Sequence, residues 1–216
     1  MGTCAEYTNS MRKQVAIGVI AAALLAAFAV QAAEVLDNSG PVTFFIEDGK
    51  SVPGYRDSDR ELAKMAFEAW SRESAGKLKF VETTARNAAL VRIQWISPNQ
   101  GLFGETQRIV VNGKPGALVY VMPQVAELGP LGRQTIQDGL LRDTIVYLTC
   151  VHELGHAVGL EHTRKFEDIM YFFGFGGDIV EYFMRYRSKL QSRADIAKYS
   201  GLSSGDVDTL LKLYSH

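Results

Sequence analysis

The hydrophobic positions of this chain change period several times, and each change marks an element. Residues 42–47 are β-branched and aromatic, follow Gly40-Pro41, and predict a first strand that Asp48-Gly49 and Pro53-Gly54 interrupt. The spacing then shifts to three and four: Leu62, Met65, Ala66, Ala69 and Trp70 lie on one face of a helix. Ser58-Asp59-Arg60-Glu61 reads as its capping box and Gly76 as its stop. Residues 78–82 return to extended structure, and residues 89–96 alternate Val91, Ile93 and Trp95 against Leu90, Arg92, Gln94 and Ile96. Residues 108–111 and 117–122 flank Asn112-Gly113-Lys114-Pro115-Gly116, a hairpin signal. Helical periodicity resumes over residues 140–160, again over 178–191, and finally over 202–214 behind a capping serine. No repeat, linker or low-complexity tract divides the chain.

Composition narrows the class without naming a function. The 216 residues suit one well-buried domain, with 47% hydrophobic and 22% charged residues. A formal net charge of −1 gives no reason to expect a nucleic-acid partner. Two cysteines, Cys4 and Cys150, make no disulfide framework. Arg12 and Lys13 precede an apolar run over residues 15–30, and Val30-Gln31-Ala32 supplies the small residues that favour cleavage before Ala33. The expectation is a signal peptide over residues 1–32, with Met11 as a second candidate start, and a single domain over residues 33–216. Export follows, to the periplasm or the extracellular space. The alternative is an uncleaved N-terminal membrane anchor with the domain outside.

Chemistry concentrates at residues 152–162, His-Glu-Leu-Gly-His-Ala-Val-Gly-Leu-Glu-His. His152 and His156 stand one turn apart on one helical face and can share a metal ion. Glu153 lies beside them, within reach of a metal-bound water without being a ligand. Gly159 lets the helix stop in the left-handed region, so the chain can turn and deliver His162 as a third nitrogen. Three neutral imidazoles leave one tetrahedral position of zinc open, as in catalytic sites. By average residue usage the whole pattern arises by chance in roughly one chain in 10⁵, which sets aside an accidental core helix. Cys150 falls on the opposite side of the helical wheel from His152 and reads as a buried structural thiol.

This motif resembles that of the metzincin zinc peptidases. Met170, in Asp168-Ile169-Met170-Tyr171, looks like the clan's methionine turn, and Tyr171 directly after it resembles the matrixin branch. Phe172 occupies the place where other branches carry a zinc-contacting tyrosine, so no tyrosine ligand is expected. The first helix followed by Leu78-Lys79-Phe80, the strand Ala89-Leu90-Val91-Arg92-Ile93, and a last helix with Asp206, Asp208 and Leu213-Tyr214 also resemble the matrixin catalytic domain. The resemblance spans about residues 41–214 and loosens over 171–201. There the proline that commonly follows Met-Tyr is missing and a helix is inserted.

The resemblance implies an α+β zincin/metzincin-like fold. A mixed twisted sheet would carry an N-terminal helix and an active-site helix, ahead of a smaller C-terminal subdomain ending in a helix. It implies a zinc-dependent endopeptidase with one catalytic Zn2+ on His152, His156 and His162, Glu153 as general base, and Gly159 and Met170 supporting the site. Met170 would form a hydrophobic floor under the histidines without binding metal. The partner is a protein or peptide substrate and the chain is expected to be a monomer. No histidine precedes His152, so a second, structural zinc is not expected, and calcium sites are not readable from these residues. An arm of the predicted hairpin would take substrate as an extra strand, with residues 116–121 preferred. Residues 171–177 would wall the pocket beyond the cut. Arg185, Arg187, Lys189 and Arg193 read as a solvated face, and Asp206 and Asp208 as acids favouring a helix N-terminus. The reading from a different class is a non-catalytic exported zinc protein that binds a peptide or a surface polymer.

Overall fold

The computed structural model describes residues 35–98 and 103–215, and the expected signal segment lies outside them. Among the described residues no helix is long and apolar enough to cross a membrane. Five strands form one mixed sheet: β1 (Val42–Ile46), β2 (Phe80–Glu82), β3 (Val91–Trp95), β4 (Gly104–Val111) and β5 (Lys114–Val121). Their order across the sheet is β2-β1-β3-β5-β4, with every pairing parallel except β4 to β5. The architecture is α+β, as the sequence implies, with a mixed sheet that carries helices. Alternation places Val42, Phe44 and Ile46, and Val91, Ile93 and Trp95, on the buried side of their strands.

Two helices pack together against the sheet, α1 (Asp57–Glu73) and α3 (Gly139–Ala157), the latter lying on β4 and β5. A short α2 (Gly129–Thr135) leads into α3, with α4 (Ile179–Arg187) and α5 (Ser204–Leu213) following it. On α1 the buried stripe includes Phe67, which stacks on Phe44 at 3.9 Å, while Met65 sits only partly covered. The helix begins one residue before the expected cap. Arg56 is its N-cap, and Asp59 accepts the Arg56 amide at 2.9 Å. Asp59 also pairs with Arg142 of α3, both fully buried, and Arg142 Nη2 donates to the carbonyls of Gly54 at 2.9 Å and Pro123 at 3.2 Å. One guanidinium thus ties the loop before α1 and the loop after β5 to the start of the site helix.

Two boundaries differ from expectation. The hairpin turn is two residues, Asn112 and Gly113, with φ of 52° and 77°, the paired left-handed values of a type I′ turn. Lys114, Pro115 and Gly116 therefore belong to β5. More consequentially, β5 lies between β3 and β4, so residues 116–121 are interior and β4 is the edge on this side of the sheet. Burial explains the order: Ala117, Val119 and Val121 are fully buried, whereas Gln107, Arg108 and Val110 of β4 are exposed.

Candidate metal centre

Helix α3 opens with Asp138 as N-cap, its carboxylate accepting the Leu141 amide at 3.0 Å. The helix ends at Ala157, and Gly159 follows at φ +107°, a conformation that favours glycine. This turn is held from outside: the Tyr214 hydroxyl donates to Val158 O at 3.0 Å and accepts the Leu36 amide at 3.1 Å. The chain then doubles back and brings His162 onto the helical pair. The three imidazoles stand 4.6–5.4 Å apart between ring centroids.

Their orientation is set through Nδ1. His152 Nδ1 bonds Ile169 O at 2.6 Å and His156 Nδ1 bonds Leu160 O at 2.9 Å, fixing Nδ1–H and leaving the Nε2 lone pairs for a ligand. One metal-ligating atom from each ring lies within 4.8 Å of the others, and His156 Nε2 and His162 Nε2 are 3.1 Å apart. Tetrahedral zinc with Zn–N bonds of about 2.0–2.1 Å holds its nitrogens roughly 3.3 Å apart, so this donor set fits the ion. Burial also suits it. It pushes His152 down to about 4 and lowers His156 and His162 as well, keeping the rings neutral at pH 7. Phe172 stacks on His162 at 4.8 Å, giving the third ring a wall rather than a further ligand.

Met170 is fully buried beneath the helix, and the reason it fits there is Gly155. A Cβ at position 155 would lie 2.3 Å from Met170 Sδ and 3.1 Å from the Trp70 ring. Trp70 itself donates from Nε1 to Val151 O at 2.9 Å, pinning α1 to the turn that carries His152. The loop ahead of Met170 is held by two aspartates. Asp206 accepts the amides of Ile169 at 2.8 Å, Met170 at 3.4 Å and Ser203 at 2.8 Å. Asp168 accepts the hydroxyls of Thr163 at 2.8 Å and Ser203 at 2.6 Å. Asp206 therefore caps α5, as expected, and also positions the carbonyl on which His152 is oriented. Asp168, Gly155 and this second role of Asp206 were not read from the sequence.

Glu153 is buried beside the triad. Burial, reinforced by the Glu105 charge and opposed by a hydrogen bond from Thr106, raises its carboxyl to about 7. Thr106 Oγ1 is 2.8 Å from both Glu153 Oε2 and Glu153 O. Cys150 is fully buried on the far face, and burial pushes its thiol up.

The three histidines and Glu153 open into one cavity of about 670 Å³. One side is β4, from Phe103 to Arg108; the other is Phe172, Phe173 and the apolar face of α4, including Ile179, Tyr182 and Phe183. Tyr171, Phe172 and Phe173 form a wall, and α4 forms more of it. The basic residues expected to make a solvated face divide. Arg187 pairs with Asp138 at 2.9 Å and Arg193 approaches Asp143 at 3.6 Å, both half-buried, and these contacts dock the segment against α3. Arg185, over Tyr182 at 5.1 Å and donating to Phe166 O at 3.1 Å, and Lys189 are exposed.

The family model described as Matrixin matches residues 38–175. Among solved structures, archaemetzincin (amzA) from Methanopyrus kandleri is similar with a TM-score of 0.44 and 15% identity, covering 84% of this chain and 100% of that one. A search of curated proteins returned no match.

Proposed function

The chain belongs to the matrixin family of zinc metallopeptidases, and on that premise we propose that it is an exported endopeptidase that cuts internal peptide bonds with Glu153 as general base. The observation that carries the reading is the meeting of three inward Nε2 atoms with a buried carboxyl near neutrality in one cavity. His152, His156 and His162 would hold the ion. When bound, zinc supplies Lewis acidity that polarises the scissile carbonyl and acidifies water. Glu153 takes a proton from the attacking water and returns it to the departing amine, a role suited to a carboxyl whose burial favours taking up a proton. No covalent enzyme intermediate is required.

Endo-cleavage is favoured by the edge strand. The first half of β4, with Gly104, Glu105, Thr106 and Arg108, borders the cavity, so an extended peptide can add to its outer edge with side chains alternating into and out of the cleft. Main-chain parity identifies the residues concerned. Met122 N donates to Phe103 O, which makes Phe103–Met122 a hydrogen-bonded pair and turns the main chain of Gly104 and Thr106 outward. Pro115, opposite Val110, fits the same parity, since no N–H is needed there.

The test is incubation of the purified protein with a peptide library and mapping of the cuts by mass spectrometry, with chelator and with zinc restored. Internal cuts lost to chelator and regained with zinc support the proposal. Removal of terminal residues only, or no cleavage, removes it. Export is tested by sequencing the mature N-terminus, where a start at Ala33 is expected.

A further inference from the structure

We propose that edge strand β4 carries the seat of the general base, with Gly104 giving the Glu153 carboxylate its space and Thr106 holding it there by a hydrogen bond. The inference rests on the peptidase reading and concerns how the base is positioned. Gly104 and Thr106 are two residues apart on β4, so both turn toward α3. A Cβ at position 104 would lie 2.5 Å from Glu153 Oε1, 2.6 Å from its Cγ and 2.8 Å from its Cδ. Any side chain there displaces the carboxylate. Glycine is required for space here, independently of backbone conformation.

Thr106 ties that carboxylate to its own helix. Its Oγ1 lies 2.8 Å from Glu153 Oε2 and 2.8 Å from Glu153 O, so one hydroxyl bridges the side chain and the main chain of the same residue. The carboxylate is thereby held in one place relative to the turn of α3 that carries it. Thr106 is thus a positioning residue, on the same strand whose outward main chain would pair with substrate, so substrate docking and base orientation share two residues.

The test compares Thr106→Val, Thr106→Ser and Gly104→Ala in the zinc-loaded, full-length protein. Loss of a hydrogen bond to a charged group predicts that Thr106→Val lowers kcat about tenfold, with KM and zinc content unchanged. Thr106→Ser should restore it, and Gly104→Ala should lower kcat at least as far. Crystal structures supply a readout independent of turnover: the Glu153 carboxylate leaves its site in Thr106→Val and Gly104→Ala and keeps it in Thr106→Ser. An unmoved carboxylate with unchanged kcat overturns the inference. So does a fall in kcat that tracks loss of zinc, which would make Thr106 merely structural. If the wild-type protein cuts no peptide, the peptidase reading fails, and the crystallographic comparison still decides the seat.

Discussion

Replacing Asp206 with alanine should weaken the metal site from a distance. The side chain is 1% exposed and touches no histidine. It accepts two short hydrogen bonds at 2.8 Å, from the amides of Ile169 and Ser203, and a longer one from Met170. Alanine leaves one buried and one half-buried amide without an acceptor. Bonds to a charged group contribute about 1.5–3 kcal/mol each, but the carboxylate also costs free energy to bury, which holds its pKa above the ordinary value. The net loss should be about 3 kcal/mol, or roughly 6–12 °C in Tm at this chain length. Asparagine keeps the acceptor oxygen and sheds the buried charge, so Asp206→Asn should lose no more than about 1 kcal/mol. Differential scanning calorimetry of the zinc-free proteins measures both. Zinc titration should then show Asp206→Ala binding about ten- to a hundredfold more weakly, because Ile169 O no longer fixes the His152 ring. If Asp206→Ala melts within a degree or two of wild type and binds zinc as tightly, the loop holds itself and the reasoning is wrong.

Four further outcomes follow from the site. Glu153→Ala should keep its zinc and lose about 10²–10⁴-fold in kcat; full activity in that variant would remove the mechanism. His156→Ala should lose the metal, and elemental analysis of the wild-type protein should find one zinc per chain rather than two. Cys150 should resist alkylation in the native protein and react on unfolding, as peptide-resolved mass spectrometry of labelled protein would show, since burial both covers the thiol and raises its pKa. In the zinc-free protein burial holds His152 at about 4 against an ordinary 6.5, so between those values the unfolded chain binds the proton that the fold excludes. Its contribution is present above pH 6.5 and falls by about 3 kcal/mol as pH drops toward 4. Melting curves of wild type and His152→Gln across that range should converge at low pH, and parallel curves would count against the shift.

What the sequence revealed follows the range of the interactions involved. The strands at residues 42–46 and 91–95, helix α3 and the last helix were legible because period and capping are local. The convergence of His152, His156 and His162 was legible because they sit within three turns of chain. The identity of the edge strand was not, because β5 and β4 are both plausible edges until β3 claims β5 through Ala117, Val119 and Val121. Helix α2 carries no apolar stripe long enough to announce itself. Gly155 and Gly104 look like ordinary glycines until Met170 and Glu153 are placed against them. Arg187 and Arg193 read as part of a solvated face because their partners, Asp138 and Asp143, lie at the start of α3, far away in sequence.

The anchoring of His152 on Ile169 O has a temporal meaning for a chain made from its N-terminus. All three rings of the candidate metal centre have been synthesised by residue 162, yet one of them takes its bearing from a carbonyl that is secured only after Asp206 arrives. A chain truncated just before Ser203 would own every ligand and lack the brace. Tight metal binding would thereby wait until Asp206 has joined the chain, well after the last of the three rings.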